Sequence, residues 1–123
     1  MNILIVEDSH TIRKELKDLL ERNGHITYEA ENGQEGIHFL ENTKFEIDLI
    51  ISDLEMPIMD GMEFIQKSRG MEKFADIPCL IYTSNIKPDL RDKLKDHGIQ
   101  AILPKPLKEK HMLKIVSSIK KKL

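Results

Sequence analysis

The chain has 123 residues with nineteen basic and twenty-one acidic side chains, a formal charge of −2. It suits one compact domain and offers no basic field for nucleic acid or an acidic membrane surface. Hydrophobic residues make up 40%, enough for a core, whereas aromatics make up 5% with no Trp, which argues against stacking platforms for single-stranded nucleic acid. The one cysteine, Cys79, excludes an internal disulfide and a multi-cysteine zinc site. No apolar run approaches the roughly 18 residues of a membrane span, and a reducing, cytoplasmic compartment is expected.

In chain order, short apolar runs alternate with longer amphipathic ones. Ile3-Leu4-Ile5-Val6 reads as a strand buried on both faces. Ser9 to Asn23 follows, with Ile12, Leu16, Leu19 and Leu20 at helical spacing, Asp8 or Ser9 as the cap and Gly24 as the stop. Ile26, Tyr28 and Ala30 alternate with polar residues as a second, half-exposed strand. Asn32 caps a helix running through Ile37 and Leu40. Ile47 to Ser52 is a third strand ended by Asp53. Pro57 and Gly61 mark a loop before a short helix, Met62 to Ser68. Ile77 to Tyr82 is the fourth strand, Pro88 to Asp96 a charged helix ended by Gly98, and Ile99 to Leu103 a fifth strand stopped by Pro104 and Pro106. Glu109 to Leu123 closes the chain as a helix whose lysine-rich end suits the negative pole of its dipole.

Five such units predict an α/β fold, a doubly wound five-stranded parallel sheet covered by helices on both faces. In sheets of this kind, polar residues past the carboxyl ends of the strands gather at the switch point. Those residues are Glu7 and Asp8 after the first strand, Asp53 after the third, Thr83 and Ser84 after the fourth, and Lys105 after the fifth. Crowded carboxylates repel unless something neutralises them. All-oxygen ligands suit Mg²⁺, which prefers one or two carboxylates together with a phosphate oxygen. A lysine and a hydroxyl opposite the metal can hold the other oxygens of a phosphoryl group. One of the carboxylates can also serve as a nucleophile.

These motifs, Glu7-Asp8 after ILIV, Asp53 in DLEMPIMDG, Thr83-Ser84 after CLIY, and Lys105-Pro106, together resemble the receiver domain of two-component response regulators of the CheY-like, single-domain kind. The resemblance spans residues 1–123 and implies the flavodoxin-like strand order 2-1-3-4-5 with five helices. It implies that Asp53 accepts a phosphoryl group from a histidine kinase or a histidine phosphotransfer protein. It implies direct Mg²⁺ ligation by Asp8, Asp53 and the backbone carbonyl of Glu55, with Glu7 acting through a metal-bound water. Thr83 and Lys105 would meet phosphoryl oxygens, and the Lys105-Pro106 peptide would be cis. A downstream protein would read the face built by the fourth helix, fifth strand and last helix, with no nucleic acid or membrane involved and the chain a monomer or a weak dimer on phosphorylation.

The sequence departs from the commonest family pattern at four places. Ile102 and Leu107 stand where aromatic residues are frequent. Glu55, two after Asp53, and Asn85, two after Thr83, reverse the best-known order of amide and acid, and the resemblance implies that they flank the path of a hydrolytic water as modulators of phosphoryl lifetime. Glu55 is also expected to reach toward Lys105 or the metal in the resting state. Rival readings are weaker. A haloacid-dehalogenase-like phosphatase needs an aspartate where Glu55 stands, and an FMN binder needs a glycine-rich cradle in place of EDSHTIR. A phosphorylation-independent binding module has no use for an intact set of acids, hydroxyl and lysine. No effector domain is expected after Leu123, and the expected output is a changed surface. Cys79 is expected as a buried filler, the histidines as surface or boundary residues, Met56, Met59 and Met62 as packing residues, and Lys120-Lys121-Lys122 as a solvated helix end.

Overall fold

A computed structural model describes residues 1–123. Its elements are β1 (Asn2–Val6), α1 (His10–Arg22), β2 (Ile26–Ala30), α2 (Gly33–Asn42), β3 (Leu49–Ser52), α3 (Gly61–Arg69), a 3₁₀ turn (Glu72–Phe74), β4 (Cys79–Thr83), α4 (Leu90–Leu94), β5 (Ile99–Pro104) and α5 (Glu109–Lys121). The five strands form one parallel sheet in the order β2-β1-β3-β4-β5, as expected.

Alternation along the central strands divides the core. Ile3, Ile5, Leu49, Ile51, Leu80 and Tyr82 face α1 and α5, where Leu16, Leu20, Met112 and Val116 meet them. Leu4, Val6, Ile50, Cys79 and Ile81 face the other side, against Leu40, Phe64, Ile65, Leu90 and Leu94. The inner residues of β1, β3 and β4 are fully buried, and each large aliphatic side chain removed from water contributes roughly 1.5–3 kcal/mol. Cys79 is among them, and Met59, in the loop after β3, is buried as well; the five histidines are exposed or half-buried, and Lys120 to Lys122 are exposed.

Local chemistry sets the element ends. Ser9 Oγ accepts from Ile12 N at 3.3 Å and Asn32 Oδ1 from Glu35 N at 2.9 Å, the caps expected from sequence. Gly24 leaves α1 at φ +88°, a conformation that a Cβ disfavours. The loop after β3 behaves differently from expectation. Asp60 caps α3 by accepting from Glu63 N at 2.9 Å, so the helix runs Gly61–Arg69 instead of Met62 to Ser68. The fourth helix is shorter than its apolar spacing suggests, five residues instead of nine. Asp89 makes no side-chain cap and pairs with Lys93 at 3.2 Å instead, and Asp96 at φ +71° ends the helical path.

Register brings the strand ends level. Val6 lies opposite both Ala30 and Ser52, Ser52 opposite Ile81, and Thr83 opposite Pro104. Glu7, Asp53, Thr83 and Lys105 therefore reach the same edge of the sheet.

Candidate functional site at the carboxyl edge

At that edge Glu7, Asp8 and Asp53 can each offer a carboxylate oxygen with all three oxygens within 4.8 Å of one another. Glu7 and Asp53 are buried and Asp8 is exposed. Lys105 reaches across from the end of β5, and its Nζ stands 2.7 Å from Glu7 Oε1 and 2.7 Å from Asp53 Oδ2. The Lys105-Pro106 peptide is cis, as the resemblance implied.

Asp53 is fixed from several directions. Leu54 N donates to its Oδ1 at 2.6 Å, so Oδ1 is held by backbone while Oδ2 faces Lys105. Its own carbonyl accepts from Ser52 Oγ at 2.7 Å. Gly61 packs directly against that carbonyl, and a Cβ there would run into Asp53 O and lie 2.7 Å from Leu54 Cα. The absence of a side chain at Gly61 is what lets the start of α3 close over the Asp53 peptide.

Electrostatics in the cluster pull in opposite directions. Burial pushes Glu7 above the ordinary carboxylate range, and the Lys105 ammonium takes back part of that shift. Burial also opposes the charge on Lys105, but its bonds to Asp53 and Glu7 outweigh burial and hold its pKa above the usual lysine value. Tyr82 lies beneath, with Lys105 Nζ 5.6 Å from its ring centroid, inside cation–π range. Burial lifts the Tyr82 phenol to about 12.

One lysine faces three carboxylates, so the pocket carries an excess of negative charge. Glu7 Oε1 is buried and has Lys105 Nζ as its partner. An all-oxygen donor set with more carboxylates than cations fits a hard divalent cation, and Mg²⁺ in particular. The residues placed to hold it are Asp8 and Asp53, with Glu7 behind them.

The structure brings Glu7, Asp8, Asp53 and Lys105 together. Thr83 is buried at the end of β4, and its carbonyl accepts from Lys105 N at 3.0 Å. One expectation fails. Glu55 does not reach Lys105; its Oε1 accepts from Asn85 Nδ2 at 3.0 Å. Lys105 is occupied by two nearer, more buried acids, and Glu55 sits on an exposed loop where an amide neighbour is the available donor.

Three contributors are absent from the sequence reading: Ser52, Tyr82 and Arg13. Arg13 carried a signal. It continues the row Arg13, Leu16, Leu20 on the buried side of α1, a place where a charged residue needs partners.

The family model described as response regulator receiver domain matches residues 3–117. A chemotaxis protein CheY homolog of Campylobacter jejuni is 32% identical over 116 residues, covering 89% of this chain and 88% of that protein. The sensor histidine kinase CheAY of Helicobacter pylori is 33% identical over 114 residues, which are 93% of this chain and 14% of the kinase. Among solved structures, chemotaxis protein CheY4 of Vibrio cholerae matches with a TM-score of 0.88 at 29% identity, covering 96% of this chain and 97% of that one.

Proposed function

The chain belongs to the response regulator receiver family of two-component signalling, and we propose that Asp53 is its phosphoacceptor. The observation that carries this reading is the position of Lys105 Nζ, 2.7 Å from both Asp53 Oδ2 and Glu7 Oε1. A strand-end carboxylate paired with a fixed cation, beside two further acids, is an arrangement suited to receiving an anion.

The donor in this reading is the phosphohistidine of a histidine kinase or a histidine phosphotransfer protein in the cytoplasm. Asp53 Oδ2 attacks phosphorus, and the histidine nitrogen leaves with the bonding electrons. Leu54 N–H on Oδ1 holds the carboxylate plane during attack. Lys105 exchanges its ion pair with Asp53 for one with a phosphoryl oxygen, which keeps a positive charge where negative charge builds up. In this reading the Thr83 hydroxyl donates to another phosphoryl oxygen. Asp8 and Asp53, with the carbonyl of Glu55, would hold Mg²⁺, whose chemistry there is to neutralise charge between the carboxylates and the incoming phosphoryl group. The intact set of acids, hydroxyl and lysine favours this over a phosphorylation-independent binding module.

The product is a changed surface. We place the read-out on the face of α4, β5 and α5, where Ile86 is 44% exposed and Ile99, Ala101 and Ile102 are half-buried. The test is incubation with acetyl phosphate and Mg²⁺, followed by intact mass. An increment of one phosphoryl group is expected for the native chain and none for Asp53→Asn. Equal labelling of Asp53→Asn overturns the assignment.

A further inference from the structure

We infer that Arg13 is a positioning residue for the metal-binding acids, acting through the backbone of Glu7; this rests on the Mg²⁺-dependent reading above. Arg13 is a charged residue only 7% exposed, and every bond of its guanidinium is directed. Its Nη1 donates to the backbone carbonyl of Glu7 at 2.9 Å. Its Nε donates to Glu29 Oε1 at 3.0 Å, and Glu29 in turn lies 3.6 Å from Lys17 Nζ. Nη2 faces His10 Nδ1 at 3.5 Å and Glu31 Oε1 at 4.0 Å.

The other side of the same residue is also held, because Glu7 N donates to Ala30 O at 3.0 Å. Residue 7 is thus tied by its N–H to β2 and by its carbonyl to α1, and the anchor for the second tie, Glu29, lies on β2 as well. The consequence falls on the 7–8 peptide. Glu7 must point into the buried cluster while the next residue, Asp8, presents its carboxylate at the rim. Rotation of that peptide would move Asp8 away from Asp53 without disturbing the strand. The Arg13 fork on the Glu7 carbonyl is what opposes that rotation, and a lysine cannot bond Glu29 and the carbonyl in the same fixed geometry.

Two accounts of Arg13 give opposite signs. If it acted only as a nearby positive charge, removing it would make the pocket more negative and tighten a divalent cation. If it positions the acids, removing it weakens the cation, and loss of an outer hydrogen-bonding partner of a metal site typically costs tenfold or more in affinity.

The experiment is a Mg²⁺ titration at constant ionic strength, followed by backbone amide NMR shifts at residues 7–8 and 53–55, on the native chain, Arg13→Ala, Arg13→Lys and Glu29→Leu. Glu29→Leu alters an exposed side chain and removes the anchor while leaving Arg13 in place, so it keeps the test open if Arg13→Ala does not fold. We expect Kd for Mg²⁺ to rise about tenfold in Arg13→Ala, with smaller rises in the other two. The Mg²⁺ concentration for half-maximal labelling by acetyl phosphate should rise with it, while the rate at saturating Mg²⁺ stays near native. An unchanged or lower Kd in the folded variants overturns the role of Arg13. Absence of Mg²⁺-dependent shifts in the native chain instead defeats the metal reading on which the inference rests.

Discussion

Asn85 donates to Glu55 across 3.0 Å, and this bond joins the loop after β3 to the loop after β4. Both side chains are exposed, and Asp53 lies buried beneath the loops that carry them. The two positions picked out by sequence as flanking the phosphoacceptor are therefore one coupled element, not two independent modulators.

A clasp of this kind limits how water approaches a phosphoryl group on Asp53. Asn85→Ala and Glu55→Ala should each shorten the lifetime of the phosphorylated state by roughly tenfold, about 1.4 kcal/mol in the barrier. The double variant should decay at nearly the rate of either single one, since each removes the same bond. Decay after removal of acetyl phosphate, followed by intact mass, measures this. Additive effects in the double variant would mean the two residues act separately.

The buried Glu7 gives a pH-dependent prediction. Its folded pKa lies above the ordinary glutamate value mainly because burial disfavours the charge. The folded state therefore keeps a proton at Glu7 that the unfolded chain has already released, and stability rises as pH falls from neutral through the raised value. At pH 7 the ionised Glu7 is a cost, so Glu7→Gln should be more stable without divalent cations, by about 1 kcal/mol or roughly 4 °C in Tm. That advantage should vanish as pH approaches the unfolded value. Thermal midpoints between pH 4.5 and 8, with chelator present, give the comparison; a less stable Glu7→Gln at pH 7 contradicts it. Lys105 has the same sign in a different window, its contribution being full below 10.5 and lost only as pH rises through its elevated folded value.

Gly61 supplies a steric prediction. A methyl group there collides with the Asp53 carbonyl and the Leu54 backbone, and backbone cannot yield as a flexible side chain can. Gly61→Ala should cost roughly 3 kcal/mol or more, read as a lowered urea midpoint at unchanged slope. A variant within about 0.5 kcal/mol of native would show that the loop gives way easily.

What the sequence made legible follows from where information is local. The run Ile3–Val6, the caps Ser9 and Asn32, and the acids at strand ends depend on neighbours a few residues away, and they stand where expected, whereas the third strand, expected over Ile47 to Ser52, begins at Leu49. The start of α3 at Gly61 and the short α4 follow from which partner an aspartate takes: Asp60 bonds the first turn of its helix, whereas Asp89 bonds Lys93, and residue type alone does not distinguish the two. The partners of Glu55 and Arg13 were out of reach for another reason. Glu55 meets Asn85 thirty residues away and Arg13 meets Glu29 sixteen away, and only the register of β1, β2, β3 and β4 decides which acid is nearest.

The last prediction concerns how phosphorylation reaches the read-out face. Thr83 and Lys105 are linked through the bond from Lys105 N to Thr83 O at 3.0 Å, and the strands that carry them pair Ile81 with Ile102 and Tyr82 with Leu103. Ile102 packs with the cluster that holds Leu90 and Leu94, whereas Leu107 packs on the opposite side of the sheet with Met112 and Val116. No aromatic hydroxyl stands at Ile102, so displacement of Thr83 toward a phosphoryl oxygen must propagate by aliphatic repacking between β5 and α4. The short α4, with a single row of Leu90 and Leu94 buried, is the element least anchored against such a shift. A charge-assisted bond such as that from Lys105 to a phosphoryl oxygen contributes about 1.5–3 kcal/mol, and a loss near 2 kcal/mol lowers the ratio of active to resting conformers about thirtyfold. Lys105→Ala should therefore still take up label at Asp53 but lose most of the phosphorylation-dependent NMR shifts at Ile86, Leu90, Ile102 and Leu107. In the native chain those four residues should shift on phosphorylation or on addition of beryllofluoride. Full native shifts in phosphorylated Lys105→Ala would remove Lys105 from the switch, and native shifts confined to the loop around Asp53 would mean that no surface switch exists on this face.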